Sequence, residues 1–227
     1  MLNKNKIYHV DCLEGFKFID DSSVDLIIAD YPFNCQDGKK DYDLFIKQTA
    51  THFYRILKEN CILIVINNPK NIFLYSHHFN KFKLRDNLAL IRNSTIRPAW
   101  HFGFKHNFCQ ILIKPDKTNN INIKLKWNGT KINHDKSFMT DVIDYKNGYI
   151  SGIDSHPQAI PLKFIKSLIE LYSNQDDLIL DPFMGSGSTG VACKELSRNY
   201  IGFEFYLKYV EMARRRITTK TLKKLLG

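Results

Sequence analysis

Two short stretches of the sequence combine residue types that could do chemistry. The first, LIIADYPFNCQ, is an apolar run that ends in Asp30, Tyr31, Pro32 and Phe33. An ordinary strand needs only a turn after it, and in α/β sheets ligands bind at the carboxyl ends of the strands. We therefore predict that these four residues face a functional site.

The second stretch, LILDPFMGSGSTG, places Gly185, Gly187 and Gly190 in G-x-G-x-x-G spacing between a predicted strand and a predicted helix. Glycines allow a ligand to approach the backbone closely. Glu204 ends the next predicted strand, at the position where a carboxylate accepts hydrogen bonds from ribose hydroxyls. The pattern predicts an adenosine-type cofactor site, and the alternative is a turn of small residues beside a structural acid.

The residues around this loop favour S-adenosylmethionine as the cofactor. Only 37 of the 227 residues follow Gly190, which is too few for the second half of a dinucleotide-binding fold in its usual order. Asp181 directly precedes the loop, where its charge would repel a pyrophosphate and attract an ammonium or a sulfonium. No Lys follows the glycines, as a phosphate-binding Walker loop requires. An oxidoreductase is the least favoured alternative.

Strand and helix signals alternate along both ends of the chain. The N-terminal part reads KIYHV, CLEGFKFI, VDLIIAD, YDLFIKQTATHFYRIL and CILIVI, with further strands predicted at LALIR and FCQILIK. The C-terminal part reads PLKFIKSLIELYS, DLILD, TGVACKELS, YIGFEF and a long basic helix. This alternation predicts an α/β fold with a mostly parallel twisted sheet. Residues 115–148 are polar and rich in Asn and Lys, which predicts an insertion with irregular or short β structure or, alternatively, a disordered linker.

The composition favours a nucleic-acid partner inside the cell. There are 33 Lys plus Arg against 23 Asp plus Glu, a net charge of +10, which attracts polyanions, although a generally basic protein is the alternative. The five cysteines are widely spaced without a CxxC pair, so we expect reduced, buried thiols and no metal. The N-terminus lacks a signal-peptide pattern and no apolar run reaches about 18 residues. We expect a soluble, cytoplasmic protein that does not enter a membrane.

The order of these motifs resembles the β-class amino-methyltransferases of DNA, which use S-adenosylmethionine. An acid-led tetrapeptide comes first, a variable insertion next and the DPFMGSGST loop last, and the similarity covers nearly the whole chain. The resemblance implies a Rossmann-like methyltransferase fold with helices on both faces of the sheet and a small inserted target-recognition region. It divides the chain into a catalytic half (1–91), the inserted region (92–150) and a cofactor-binding half (151–227).

The resemblance gives the acid-led tetrapeptide a chemical role. The Asp30 carboxylate and the Tyr31 backbone carbonyl would accept the two protons of an exocyclic base amine and localise its lone pair for direct methyl transfer. Pro32 would fix the turn and Phe33 would stack on a base flipped out of the duplex. The family's usual tetrapeptide is Asp-Pro-Pro-Tyr or a close relative, so Tyr31 is a departure that removes one restraint on φ.

The leading acid is similar to adenine-N6 enzymes, whereas cytosine-N4 enzymes tend to lead with Ser. We therefore predict N6 methylation of adenine, in a restriction-modification or related system. A cytosine-N4 enzyme on the same scaffold is the first alternative. A nucleic-acid-binding relative that has lost transfer through the change at Tyr31 is the second.

Matching positions predict the cofactor-binding residues. Asp11 would accept from the cofactor's adenine amine or, alternatively, cap the helix that begins near Leu13. His156 resembles the start of the helix block before the loop, where a structural role is an equal alternative. Glu204 would hold the ribose. The complete predicted cofactor set is Asp11, Cys12, His156, Asp181, Pro182, Phe183, Gly185, Ser186, Gly187, Ser188, Thr189 and Glu204.

The inserted region is predicted to bind the target DNA. Six lysines there suit phosphate contact, namely Lys114, Lys117, Lys124, Lys126, Lys131 and Lys136. Four asparagines could read adenine edges, although turn formation is the favoured role, namely Asn119, Asn120, Asn128 and Asn133. The expected partners are double-stranded DNA, a second copy of the chain in a homodimer and a cognate restriction endonuclease.

Overall fold

A computed structural model describes residues 2–32, 41–96, 104–121, 141–144 and 160–226. These residues form one eight-stranded sheet in the order β1-β8-β7-β2-β3-β5-β4-β6. The strands are β1 (Lys6–His9), β2 (Val24–Asp30), β3 (Leu57–Asn67), β4 (Lys83–Ile96), β5 (Phe104–Ile113), β6 (Val142–Asp144), β7 (Leu178–Asp181) and β8 (Asn199–Glu204). The helices are α1 (Cys12–Gly15), α2 (Tyr42–Ile56), α3 (Ile72–His78), α4 (Leu162–Tyr172), α5 (Ser188–Glu195) and α6 (Leu207–Leu226).

The sheet is mostly parallel, as the alternating pattern predicts. The neighbours β1, β8, β7, β2 and β3 all run parallel, whereas β5 runs antiparallel to β3 and to β4. The strand β6 then pairs parallel with β4. Because the first five strands share a direction, their carboxyl ends meet at one edge of the sheet, which we call the carboxyl edge.

Helices cover both faces of the sheet because the parallel strands are apolar on both sides. One face packs against α4, α5 and α6, and its core includes Ile28, Ile64 and Ile179. The other face packs against α1, α2 and α3 through an aromatic core that includes Phe53 and Tyr75. The predicted α/β architecture with helices on both faces is confirmed.

The predicted inserted region contains a strand of the central sheet. The boundary at residue 92 falls within β4, and β5 continues the sheet by pairing Ile66 of β3 with Cys109. Both strands are longer than the apolar runs LALIR and FCQILIK that predicted them. The division of the chain into 1–91, 92–150 and 151–227 therefore stays a prediction, and any recognition segment in it must exclude β5.

Candidate active site

Three predicted carboxylates lie at the carboxyl edge on one face of the sheet. Asp30 ends β2, Asp181 ends β7 and Glu204 ends β8. Asp181 pairs with Gly202, two residues before Glu204, and Ile27 pairs with Leu180, which aligns Asp30 with the same set of alternate positions. Since alternate residues of a strand share a face, all three side chains lie on the α4–α6 side of the sheet. The acid-led tetrapeptide and the glycine loop, whose acids Asp30 and Asp181 are 151 residues apart in the sequence, therefore lie at one edge of the sheet.

Glu204 connects the end of β8 to the glycine loop. One carboxylate oxygen accepts from the backbone N–H of Gly185 at 2.8 Å and the other from that of Tyr206 at 2.8 Å. The residue is 8% exposed, and burial raises the pKa of its carboxyl while these backbone donors lower it. Each oxygen retains a second lone pair. Glu204 is thus fixed in place and can still accept from a ligand hydroxyl.

Asp181 is a buried acid directly beneath the loop. It is 5% exposed and accepts from the backbone N–H of Phe183 at 3.0 Å. Burial raises its pKa to about 7, with a further rise from the charge of Glu204 and an opposing effect from the hydrogen bond of Thr189. A positive ligand group nearby would favour the ionised carboxylate. A pyrophosphate would be repelled by two acids at the same position.

The glycines of the loop permit α6 to pack closely against it. Gly187 precedes α5 with φ +81°, and a Cβ added there would lie 2.7 Å from the Cβ and 3.0 Å from the Cα of Ala213. At Gly190 an added Cβ would lie 2.5 Å from Cδ1 of Ile217. The glycine spacing that indicated a cofactor loop is therefore also required for α6 to pack closely against the loop.

Two arginines of α6 bond to backbone carbonyls near the site. Arg216 donates to the carbonyl of Ser186 in the loop, and Arg214 donates to that of Ile7 in β1 at 2.7 Å. The basic run of α6 looks in the sequence like a solvated cationic face, but these two guanidinium groups dock the helix. No sequence pattern distinguishes them from Arg215 between them.

Asp30 lies at the end of β2, half-buried, with Ile66 of β3 and then Cys109 of β5 in register beside it. Cys109 is fully buried, and burial together with the charge of Asp30 raises the pKa of its thiol. Pro32 is exposed and Tyr31 is 1% exposed. Phe33 lies outside the described residues.

The other predicted cofactor residues have the following positions. The side chain of Asp11 accepts from the N–H of Leu13 at 2.8 Å and caps α1, as the alternative role predicted. Cys12 is buried at the start of α1, and β1 leads into it at the carboxyl edge. Pro182, Ser186, Ser188 and Thr189 are buried in the loop and the first turn of α5, where Phe183 and Gly185 are half-buried. His156 lies outside the described residues.

The prediction of a phosphate contact for Lys114 is wrong. Its ammonium is 5.0 Å from the ring centroid of Tyr54 and donates to the carbonyl of Leu57 at 2.6 Å, and the residue is 6% exposed. Because β5 is antiparallel to β3, its end at Ile113 lies opposite Ile62, far from the carboxyl edge. Strand direction is not readable from the local sequence.

Lys117 is exposed in the turn that follows Lys114, at the same far edge. That turn is built by Asp116, which accepts from the N–H groups of Thr118 and Asn120 at 2.9 Å. Asn119 adopts φ +60° within it. Turn formation, the favoured role of the asparagines, is confirmed for Asn119 and Asn120. The remaining candidates lie outside the described residues, namely Lys124, Lys126, Lys131, Lys136, Asn128 and Asn133.

An aromatic cluster behind the tetrapeptide was not found from the sequence. The ring of Tyr31 packs against Phe45 (centroids 6.1 Å), Tyr75 (5.0 Å) and Phe183 (4.8 Å), and its hydroxyl lies 2.5 Å from Oγ1 of Thr49. Phe45 and Thr49 lie on one face of α2, and from the sequence this spacing predicts only that they are buried. That they pack against Tyr31 depends on where α2 lies on the sheet.

The charges of the carboxyl edge fit a cationic nucleoside. Two buried acids, each held by backbone N–H groups, favour hydroxyls and positive charge over phosphate. Among the residues that the structure describes, no three His, Cys, Asp or Glu side chains form a metal-binding group. No helix in the described ranges is long and apolar enough to cross a membrane.

Comparison with solved structures defines the class of fold. The chain superposes on TTHA0409 of Thermus thermophilus, solved with S-adenosyl-L-methionine, with a TM-score of 0.73 at 18% identity, covering 95% of this chain and 93% of that one. It superposes on the PvuII cytosine-N4-specific DNA methyltransferase with a TM-score of 0.74 at 18% identity, covering 97% and 92%. The fold is that of the S-adenosylmethionine-dependent methyltransferases, as predicted.

Comparison with families and relatives is more specific. The family model described as DNA methylase (N6_N4_Mtase) matches residues 24–215, so the chain belongs to this family of DNA methyltransferases. The type II methyltransferase M.BamHI of Bacillus amyloliquefaciens is 28% identical across 98% of this chain, which spans 59% of that protein's length. The DNA adenine methyltransferase YhdJ of Escherichia coli is 27% identical across 93% of this chain and 82% of its own length.

Proposed function

We propose that this protein transfers a methyl group from S-adenosylmethionine to the N6 amine of an adenine flipped out of double-stranded DNA. The observation that carries the proposal is the position of Asp30, which ends β2 on the same face and edge as Asp181 and Glu204. An acid that can hold an amine thus lies beside a cofactor-binding loop.

Asp30 acts on the target amine. The lone pair of an exocyclic amine is delocalised into the base, so the amine is a poor nucleophile. A carboxylate and a backbone carbonyl that accept its two protons localise this lone pair and stabilise the positive charge that develops on nitrogen. The backbone of the tetrapeptide is already fixed, since the N–H of Tyr31 donates to the carbonyl of Ile66 at 3.1 Å. No covalent enzyme intermediate is required.

The cofactor-binding residues follow from the fit described above. Glu204 accepts from the ribose hydroxyls, and Asp181 with the loop of Gly185 and Gly187 surrounds the methionine part. When bound, S-adenosylmethionine supplies an electrophilic methyl group. That a structural neighbour was solved with S-adenosyl-L-methionine supports this cofactor. Asp181 ionises more readily beside a positive group, so we expect cofactor affinity to rise as the pH increases through about 7.

The choice of adenine rests on the acid that leads the tetrapeptide. A relative named as a DNA adenine methyltransferase, YhdJ, supports it. The cytosine-N4 specificity of the structural neighbour from PvuII supports the second candidate, N4 methylation of cytosine on the same scaffold. The product of the reaction distinguishes the two.

The biological setting is a restriction-modification or related DNA-modification system. The relative M.BamHI is named as a type II methyltransferase, which supports this setting. A homodimer, a cognate restriction endonuclease and a cytoplasmic location stay predictions. Native mass determination of the purified protein tests the first of them.

The experiment is methylation of unmethylated genomic DNA with methyl-labelled S-adenosylmethionine, followed by digestion and mass spectrometry of the nucleosides. We expect label in N6-methyladenine. Asp30→Ala is expected to lower kcat at least about 10³-fold while binding the cofactor normally, because it removes an interaction with the transition state. Asp86→Ala, which removes an exposed acid from β4, is the matched control and should keep full activity.

Each other outcome has a defined meaning. Label in N4-methylcytosine corrects the base and keeps the mechanism. Full activity of Asp30→Ala contradicts the assigned role of Asp30. Cofactor and DNA binding without any transfer by the unaltered protein would instead support the non-transferring relative.

A further inference from the structure

The side chain of Tyr31 points to the opposite face of the sheet from Asp30. Successive strand residues alternate between faces, and Tyr31 belongs to the aromatic core against α2 and α3, whereas the face of Asp30 is that of Cys109 and Ile66. Tyr31 therefore does not meet the target amine with its side chain. It packs instead into the aromatic core behind the tetrapeptide.

The hydroxyl of Tyr31 makes a buried hydrogen bond in which Tyr31 is the donor. Its oxygen lies 2.5 Å from Oγ1 of Thr49, and Oγ1 lies 2.9 Å from the carbonyl of Ile46, to which it donates. A threonine hydroxyl has one proton, so the proton between Tyr31 and Thr49 comes from Tyr31. Both residues are buried, at 1% and 0% exposure, which excludes water as a substitute.

The ring of Tyr31 links the tetrapeptide to the cofactor loop. Its centroid lies 4.8 Å from that of Phe183, whose N–H is bonded to Asp181. On the other side Tyr75 lies 5.0 Å away in an edge-on arrangement. One aromatic ring thus touches both the loop that binds the cofactor and the wall of α2 and α3.

We propose that the Tyr31 side chain is a positioning residue that replaces the backbone restraint of the proline usual at this place in the tetrapeptide. Proline fixes φ through its ring and lacks an N–H. Tyr31 instead fixes the backbone through its hydroxyl on Thr49, its ring on Phe183 and its N–H on Ile66. The inference rests on the proposed function, since the group it positions is the Asp30–Tyr31 acceptor pair.

The first test removes the hydroxyl contact from either side. Tyr31→Phe and Thr49→Val are each expected to lower kcat about tenfold, the scale of one lost positioning hydrogen bond, with the KM for S-adenosylmethionine within about twofold. The double variant should lose no more than either single variant, because both remove the same contact. Tyr75→Phe is the matched control: it removes a buried tyrosine hydroxyl bonded to Tyr42 at 2.6 Å in the same cluster. We expect it to keep kcat.

The second test separates restraint from packing. Tyr31→Ala and Tyr31→Pro both delete the aromatic ring. Only proline restores a fixed φ, although it also removes the N–H that donates to Ile66. We expect Tyr31→Ala to lose about 100-fold in kcat and Tyr31→Pro to recover about tenfold of that loss. Thermal unfolding of both variants is measured in parallel, and Tyr31→Pro should have the lower Tm of the two, since the carbonyl of Ile66 loses its donor.

The outcomes distinguish this inference from the proposed function. Absence of methyl transfer by the unaltered protein overturns the proposed function itself. Transfer by the unaltered protein that Tyr31→Phe leaves unchanged, or that Tyr75→Phe lowers equally, overturns the inference alone. A Tyr31→Pro variant that folds and is no more active than Tyr31→Ala overturns it as well.

Discussion

The cofactor loop and the catalytic tetrapeptide lie at the same edge of the sheet but are held in place differently. The loop is fixed through its own backbone N–H groups: that of Gly185 donates to the Glu204 carboxylate at 2.8 Å, and that of Gly187 donates to the carbonyl of Met184 at 2.9 Å. The tetrapeptide is fixed mainly by side-chain packing: beyond the bond from its N–H to Ile66, Tyr31 contacts Thr49 of α2 and Phe183 through its side chain.

This difference explains why one region is readable from the sequence and the other is not. A loop held by its own backbone needs glycines at fixed positions, so its function is written in a contiguous motif. A loop held by packing depends on which side chains the fold brings behind it, so several residue types satisfy the same need. Tyr31 looks like a defect in a motif and is a buried anchor in the structure.

The largest effect is expected where the cofactor loop has no freedom to adjust. Gly187→Val places a β-branched residue at φ +81° and its Cβ 3.0 Å from the Cα of Ala213. Left-handed strain of about 1–2 kcal/mol and overpacking of about 1–3 kcal/mol together lower the free energy of unfolding by about 4 kcal/mol. Urea denaturation measures the loss, and a change under about 1 kcal/mol would contradict it.

Gly190→Ala is the control for this prediction. Its obstacle is Cδ1 of Ile217, the end of a flexible side chain. We expect a loss of about 1 kcal/mol. Adding Ile217→Val should recover most of it, whereas no single side-chain change relieves Gly187→Val.

A smaller effect is expected from the buried acid below the loop, and it depends on pH. The pKa of Asp181 is raised from 3.8 to about 7 in the folded state. A raised pKa stabilises the fold fully below the unfolded value, and this stabilisation is lost as the pH rises from about 4 through about 7. The cofactor-free protein should therefore become less stable across this window.

Asp181→Asn tests this pH dependence, because the amide does not ionise. At pH 8 we expect it to raise the free energy of unfolding by about 2 kcal/mol, below the roughly 4 kcal/mol of the full shift, since weaker hydrogen bonds from Phe183 and Thr189 offset part of the gain. At pH 4 the variant should be no more stable than the unaltered protein. Chemical denaturation at both pH values measures the difference, and an equal effect at both would contradict the assignment.

The smallest effect is expected at the contact between the two regions. Phe183→Leu keeps the apolar volume and loses the aromatic contact to Tyr31, which is worth about 1 kcal/mol. Because Phe183 belongs to the cofactor loop and touches the tetrapeptide anchor, we expect cofactor affinity and kcat each to fall about threefold to fivefold. Phe82→Leu, which removes a contact to Tyr54 at 5.4 Å away from the carboxyl edge, should change stability alone. Identical kinetics of the two variants would show that the regions are not coupled through Phe183.

Several parts of the fold followed from local patterns. The strand of VDLIIAD, the glycine loop and the helix of PLKFIKSLIELYS lie within one or two residues of where periodicity predicted them. The position of Asp30 and Glu204 at the carboxyl ends of their strands also followed, because parallel strands end at one edge. These features depend on spacing within a single element or on strand direction in a repeated β/α unit.

Other features depend on contacts between elements and were not predictable. Because β5 runs antiparallel to β3, Lys114 lies at the edge of the sheet opposite the carboxyl edge. The sequence does not reveal this direction, since an apolar run has the same pattern in either direction. The docking of Arg214 and Arg216 on backbone carbonyls has no signature in a basic helix. Thr49 as the partner of Tyr31 needed the placement of α2 on the sheet.

The alkylation rates of the buried thiols can report how often each part of the molecule opens locally. Cys12, Cys109 and Cys193 are buried, and burial raises the pKa of the half-buried Cys61 to about 11. A thiol reacts with an alkylating reagent only as an exposed thiolate, so the three buried thiols react only when the chain opens around each of them.

Cys109 lies two strands from Asp30 and Cys193 lies in α5, behind the glycine loop. In a Cys35→Ser background, mass spectrometry of alkylated peptides would time the opening of the two regions separately. The alkylation rate of Cys109 thus reports opening behind the catalytic strand, and that of Cys193 reports opening behind the cofactor loop.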